Sequence, residues 1–245
     1  MAFIDLALGA AAVLLATSAG SFATLLIKNI GEKRKSAMLA FAAGVMAYSA
    51  FEMLGQSHQS AGDITMLIGF FSGIVLIMIS ERMIPHIHHH VKKEKIGDEK
   101  KKALLVAGTI TLHNLPEGFA VATAFATSTP LGWFVTTSMA LQDIPEGALV
   151  SAPLNIYGVS SRWSLFYGVF SGVAEAAAAV LGYIFLSYFS VLVPYALAFS
   201  AGAMIYVILV ELMPDALKNG MEHIGTVSFI AGAAIAFALA SLLAV

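Results

Sequence analysis

The sequence of 245 residues contains no cysteine and few charged residues. Without cysteine, the chain can form neither a disulfide nor a thiolate metal site. Nitrogen, carboxylate, amide and thioether groups remain as possible metal ligands. Charged residues make up 11% of the chain, whereas a soluble domain carries about a quarter. Because 59% of the residues are hydrophobic, the composition indicates an integral membrane protein with a single domain, residues 1–245.

Eight apolar runs are long enough to cross a bilayer as helices of about 20 residues. The first, from Leu6 to Ile27, has no basic residue before it and is longer than a signal-peptide core, so we expect it to be retained as a span. The predicted spans lie near residues 4–28, 36–56, 63–85, 103–127, 131–154, 162–188, 194–217 and 224–244. The fold class is therefore all-α, with the lipid bilayer as partner and no nucleic acid expected.

The basic residues are distributed unevenly among the predicted connections. If the amino terminus lies outside the cytoplasm, all 13 lysines and arginines fall in or beside cytoplasmic connections, as the positive-inside rule requires. They are Lys28, Lys33, Arg34, Lys35, Arg82, Lys92, Lys93, Lys95, Lys100, Lys101, Lys102, Arg162 and Lys218. We therefore predict a multi-pass protein of the inner (plasma) membrane with both termini outside the cytoplasm.

The second and seventh predicted spans share a pattern at an offset of 158 residues. Ala40, Phe41, Ala43, Gly44, Met46 and Tyr48 correspond to Ala198, Phe199, Ala201, Gly202, Met204 and Tyr206. These spans run in opposite directions, as an inverted repeat requires, although small residues recur in any packed membrane helix. We predict a 3+2+3 arrangement with repeat one at about 4–85, a His/Lys connection at 86–102, a central pair at 103–154 and repeat two at about 162–244.

The two central spans carry nearly the same polar hexapeptide, HNLPEG at residues 113–118 and QDIPEG at 142–147. Side chains three and four residues apart share one helix face. His113, Asn114 and Glu117 therefore project together on one span, and Gln142, Asp143 and Glu146 project together on the next. Each proline lacks an N–H group and leaves a backbone carbonyl without its usual helical donor. The short connection at 128–130 predicts that the two spans pack as an antiparallel pair.

Glu117, Asp143, Glu146 and Glu175 place four acids in apolar spans that hold no basic partner for them. A carboxylate at the bilayer centre costs about 2.5 to 3.5 kcal/mol. Buried acids can instead be protonated and hydrogen-bonded between helices. Four acids beside an imidazole and two amides are better explained by divalent metal ions, because two dications would balance four carboxylates.

Three segments carry a family resemblance: HNLPEGFAVATAF, QDIPEGALVSAPL and SGVAEAAAAVLGY. They resemble the ZIP (Zrt-, Irt-like) divalent metal transporters, particularly the bacterial GufA-like branch. The resemblance implies a binuclear metal site between the central spans, with Glu117 and Glu146 as bridging carboxylates. It also implies that Glu175 reaches the second metal and that Met46 lends a thioether to the first, although a methionine in a membrane span usually serves packing. A homodimer and the sliding of one helix group against another are further expectations from the resemblance.

Further polar residues are candidates for an accessory metal pathway. His86, His88, His89 and His90 follow Pro85 in the third connection, where they either contact metal or form part of a solvated linker. Glu211 and Asp215 either line the cytoplasmic half of a pathway or cap a helix end, and we favour the pathway. His223 is a candidate exit residue or an ordinary helix-start residue.

The sequence therefore predicts uptake of a divalent transition metal into the cytoplasm, with zinc as the preferred substrate. Iron(II), manganese and cadmium would fit the same donors. A rival interpretation is an intramembrane zinc metallohydrolase, but a ligand set rich in carboxylates would blunt the Lewis acidity of the metal. We therefore predict that the chain is not an enzyme. A passive divalent cation channel would share the same residues, and saturable flux would distinguish a carrier from a pore.

Overall fold

The structure is a computed structural model that describes residues 2–26, 30–91, 98–156 and 158–245. Within these ranges, only the backbone is described for residues 2, 81–91, 98–107 and 109–112. All regular elements in these ranges are helical. The α-helices are α1 (Ala2–Ala23), α2 (Glu32–Val91), α3 (Asp98–Thr127), α4 (Thr129–Ile156), α5 (Ser161–Tyr188), α6 (Val193–Val207), α7 (Met213–Ala216) and α8 (Glu222–Leu243). A π-helical segment, Ile208–Leu212, joins α6 to α7.

Five helical segments in the described part of the chain are long and apolar enough to cross a membrane. They are Phe3–Ala23, Glu32–Ser80, Ser161–Tyr188, Ser190–Ala216 and Glu222–Leu243. Many large apolar side chains on these segments, such as Leu15, Phe71 and Leu181, are exposed on the surface of the chain. A surface of this kind suits contact with lipid, and the chain is a multi-pass membrane protein.

Helix α2 includes the predicted second and third spans, and a sharp break at Gly62 divides them. The backbone there has φ 78° and ψ 179°, a conformation that is essentially restricted to glycine. Residues 57–61, predicted as a connection, continue the helix up to this break. The helix can break at this single residue because Gly62 has no Cβ to obstruct the turn.

The predicted connection at 86–102 is shorter in the structure. Helix α2 continues to Val91 and α3 begins at Asp98, while residues 92–97 lie outside the described residues. The predicted connection at 128–130 is also shorter, because Ser128 alone separates α3 from α4.

The helices pack as two groups. In the site group, α1 packs against α4 and α5, and α3 packs against α4 and α5. In the flanking group, α2 packs against α6 and α8, with α7 also against α2. Contacts between the groups are less extensive than the main contacts within each group.

Glycines allow close backbone approach inside both groups. In the flanking group, a Cβ added to Gly44 would lie 2.0 Å from the Phe229 carbonyl oxygen, and one added to Gly202 would lie 2.1 Å from that of Phe70. In the site group, a Cβ on Gly147 would lie 2.0 Å from the carbonyl oxygen of Thr17. Small residues therefore set the spacing between the paired membrane helices.

Candidate functional site

The two hexapeptides lie side by side on α3 and α4, which run antiparallel from the one-residue connection at Ser128. Both helices continue through their prolines, Pro116 and Pro145. The Ser128 side-chain oxygen accepts a hydrogen bond from the Leu131 N–H at 3.3 Å, which helps to begin α4. The predicted antiparallel pair is therefore present.

The polar residues of both hexapeptides are buried, as is Glu175 on α5. Their exposed fractions range from 0% for Gln142, Asp143 and Glu175 to 8% for His113 and Glu146. Asn114 and Glu117 lie between these limits, at 1% and 3%. Burial of so many polar groups is costly unless each finds a partner, so their partners decide what the site can do.

Three carboxylates converge at one point. Glu117, Asp143 and Glu146 each place one oxygen atom within 4.8 Å of the other two, a spacing compatible with ligands around one ion. The Glu175 carboxylate lies close enough to repel those of Glu117, Asp143 and Glu146. Two unit charges 4 Å apart repel by about 4 kcal/mol at an effective dielectric constant of 20, so the cluster favours a cation at its centre.

Most polar atoms in this cluster lack a hydrogen-bond partner within the protein. They are Asn114 Nδ2 and Oδ1, Glu117 Oε2, Gln142 Oε1, both Asp143 carboxylate oxygens and both Glu175 carboxylate oxygens, although the Thr17 side chain approaches the Glu175 carboxylate. A buried polar atom without a partner costs about 1 to 3 kcal/mol, and more if it is charged. A divalent cation would satisfy the oxygen atoms in this set, so the residues present fit a metal cargo.

Gln142 is oriented by two contacts with its amide nitrogen. Its Nε2 atom donates to Glu117 Oε1 at 3.1 Å and approaches the Met139 sulfur at 3.1 Å. The amide oxygen Oε1 is thereby the atom of Gln142 that remains for a metal. Met139 was not singled out from the sequence, although its position three residues before Gln142 puts both side chains on one helix face.

His113 reaches a residue from the flanking group. Its Nε2 atom lies 3.1 Å from Glu211 Oε1, and both side chains are near the Glu146 carboxylate. The sequence predicted His113 as a residue of the metal site and Glu211 as a residue of the pathway. The structure brings them into contact.

Met46 is 1% exposed and lies on α2 within the apolar core that also contains Met139 and Met204. Its packing accounts for its burial, and its role as a thioether ligand stays a prediction. Met53, on the same helix, is completely buried in this core.

The remaining pathway candidates lie outside the buried cluster. Asp215 is exposed and pairs with Lys218 and, at 3.9 Å, with Lys35. These are surface ion pairs near the end of the helix, and the role of Asp215 in a metal pathway stays a prediction. His223 is exposed at the start of α8. The side chains of His86, His88, His89 and His90 lie outside the described residues.

A family model described as "ZIP Zinc transporter" matches residues 93–240, which include both hexapeptides and Glu175. Zinc transporter ZIPB of Bordetella bronchiseptica is 34% identical over 245 residues, covering 93% of this chain and 78% of the relative. Zinc transporter ZupT of Corynebacterium glutamicum is 31% identical, covering 90% of this chain and 92% of the relative. Zinc transporter GufA of Myxococcus xanthus is 32% identical, covering 76% and 74%.

The family match includes all four buried acids, and the similarity to ZIPB extends over nearly the whole chain. The resemblance inferred from the three sequence segments is thereby confirmed. The rival interpretation of these residues as a zinc metallohydrolase is wrong, because the matching proteins are transporters. With its acid-rich helices paired inside a membrane bundle, the chain belongs to the ZIP family and is a metal transporter rather than an enzyme.

Proposed function

We propose that this chain carries zinc into the cytoplasm through a binuclear site between α3 and α4. The observation that carries the proposal is the set of four buried carboxylates, most of whose oxygen atoms have no hydrogen-bond partner. Zinc accepts imidazole, carboxylate and amide donors without a strict geometry. The names of the relatives also favour zinc, while iron(II), manganese and cadmium are alternative cargoes for the same donors.

The proposed ligands come from three helices of the site group, with one from α2. They are His113, Asn114 and Glu117 on α3, Gln142, Asp143 and Glu146 on α4, Glu175 on α5, and Met46. Glu117 and Glu146 would bridge the ions, and Glu175 would bind the second. Two dications would neutralise the four carboxylates, which supports two metal positions rather than one.

We further propose eight crossings in the 3+2+3 arrangement, with both termini outside the cytoplasm, in the plasma membrane. The break at Gly62 supports two crossings within α2. Equivalent contacts support the inverted repeat: Thr17 and Glu175, 158 residues apart, present their carbonyl oxygens to Gly147 and Gly118 of the two hexapeptides. Thiol labelling of single cysteines replacing Ser60 and Ser160 should place them on opposite sides of the membrane.

The proposed transport motion slides the site group against the flanking group. Tight glycine contacts, including those of Gly44, Gly73, Gly118 and Gly147, all lie inside one group or the other, which supports two units that each move as a body. Glu211, Asp215, His223 and the histidines at 86, 88, 89 and 90 are proposed accessory metal contacts on the cytoplasmic side. A homodimer is proposed from the family resemblance.

Zinc entry into proteoliposomes that contain a trapped zinc indicator tests this function. The native chain should give saturable entry, and the double variant Glu117→Ala, Glu146→Ala should give none. The two proteins must elute alike in size-exclusion chromatography and have equal helical content by circular dichroism. Linear, non-saturating entry would indicate a channel, and no entry of any candidate metal into the native vesicles would refute the proposal.

A further inference from the structure

The site group and the flanking group are each held together by polar contacts at helix interfaces. In the site group, Ser21 Oγ donates to the Gly147 carbonyl at 3.0 Å, and Ser151 Oγ donates to that of Ser164 at 3.0 Å. In the flanking group, Ser57 Oγ donates to the Pro194 carbonyl at 2.8 Å. These contacts join helices that would move together.

The contact between His113 and Glu211 is different because it crosses from one group to the other. His113 lies on α3 beside the proposed metal ligands, and Glu211 lies between α6 and α7. The separation of 3.1 Å between Nε2 and Oε1 is a hydrogen-bond distance. The imidazole is 9% exposed and the carboxylate side chain 30% exposed, so water screens the contact only partly.

Glu211 owes its position to an irregular turn. Residues Ile208–Leu212 form a π-helical segment just before Pro214. A proline at 214 has no N–H to donate to the Val210 carbonyl, so the regular α-helical pattern fails at this turn. A π-helical turn widens a helix and changes the direction of its side chains. The irregularity therefore places a charged side chain from the flanking group beside a proposed ligand.

We propose that Glu211 is a positioning residue that holds the two helix groups together when the site contains no metal. It does so by accepting a hydrogen bond from His113 Nε2, and we take this nitrogen to be the one that the cargo would bind in its place. This inference rests on the proposed function, since it takes His113 as a metal ligand. When cargo binds, the imidazole exchanges its hydrogen bond with Glu211 for a bond to the metal. Loading of the site thereby releases the contact between the groups.

Distance measurements between spin labels test the proposal without any transport. The chain has no cysteine, so two can be introduced cleanly: Ser60→Cys on α2 and Ser187→Cys on α5. Both serines are exposed, and they belong to different groups. Pulsed electron paramagnetic resonance on metal-free protein should give a narrow distance distribution for the otherwise native chain.

Replacing Glu211 should change this metal-free distribution. Charge-assisted hydrogen bonds are about twice as strong as neutral ones. We therefore expect Glu211→Ala to shift the ratio of the two arrangements about tenfold, toward the distribution that zinc produces in the native chain. Glu211→Gln, which keeps an acceptor oxygen, should give a smaller shift. Glu32→Ala removes an exposed acid at the start of α2 and should leave the distribution unchanged.

A comparison of the single variants with the double variant distinguishes the loss of this contact from a general loosening of the packing between the two groups. His113→Ala should reproduce the shift in metal-free protein, and combining it with Glu211→Ala should add nothing. Additive shifts, or an unchanged distribution in Glu211→Ala, would overturn the proposal. Failure of the proposed function is a separate result, because it would show as a native chain that neither binds nor transports zinc, whatever the metal-free distances.

Discussion

Gly118 on α3 lies directly against the backbone carbonyl of Glu175 on α5: a Cβ added at Gly118 would be 2.0 Å from that oxygen. The last residue of the first hexapeptide therefore fixes how closely α5 approaches the metal-site helices. We expect Gly118→Ala to separate α3 from α5 and to withdraw the Glu175 carboxylate from the site.

This change should lower the free energy of unfolding by about 1 to 3 kcal/mol, the usual cost of overpacking. Thermal unfolding in detergent micelles and zinc titration calorimetry would measure both effects. Gly108→Ala on the same helix is the matched control, since nothing lies within 4 Å of a Cβ there. Equal stability and zinc affinity in Gly118→Ala and the control would contradict the close approach.

Replacing Gln142 with leucine should weaken zinc binding while preserving the bundle. The amide donates to Glu117 Oε1 and offers its own oxygen to the site, and leucine supplies neither group. Loss of a ligand or of the group that orients one typically costs about 10- to 100-fold in metal affinity. Calorimetric titration of the purified protein would measure the change.

Gln59→Leu is the control for this experiment because Gln59 is exposed on α2. The control should bind zinc like the native chain. A Gln142→Leu variant with native affinity would show that the amide neither binds nor orients a ligand.

Asp143→Asn should stabilise the metal-free protein and reduce its response to zinc. Both Asp143 oxygens are buried without a hydrogen-bond partner, and three other carboxylates repel them. An amide removes one negative charge from this cluster. In chelator, the unfolding temperature should rise by about 2 to 4 °C for each kcal/mol of relieved repulsion.

Zinc should raise the unfolding temperature of the native chain, because a ligand that binds the folded state stabilises it. The Asp143→Asn variant should show much less of this increase. A variant that is less stable than the native chain in chelator would contradict the account of repulsion between the acids.

The break at Gly62 predicts a strong preference for glycine there. Its φ of 78° and ψ of 179° cost about 1 to 3 kcal/mol for a residue with a Cβ. Gly62→Ala should therefore lower the unfolding temperature in detergent. Gly55→Ala, seven residues earlier on α2 in open space, should be neutral or slightly stabilising. The opposite order of stabilities would refute the strained turn.

Much of this architecture could be predicted because an apolar segment that crosses a membrane must satisfy its own backbone hydrogen bonds, and a helix does so. The predicted spans at 131–154 and 162–188 agree with α4 and α5 to within two residues at each end. The shared face of His113, Asn114 and Glu117 followed from helical spacing alone, and all three are buried in the structure.

Other features depend on how the helices pack against one another, which the spacing of residues along the sequence does not reveal. The helix beyond Phe51 reaches Gly62 through polar residues, so the fading apolar pattern ended the predicted span too early. The contact between His113 and Glu211 joins residues 98 positions apart and depends on an irregular turn. The apolar burial of Met46 depends equally on which helices surround it.

The connection between α3 and α4 consists of Ser128 alone. A link this short keeps the adjoining ends of the two hexapeptide helices together, and α5 packs against both helices. In the function proposed above, the ligands would therefore stay together while the cargo is released. A change in what surrounds an intact cluster would then expose the same ligands first to one aqueous compartment and then to the other.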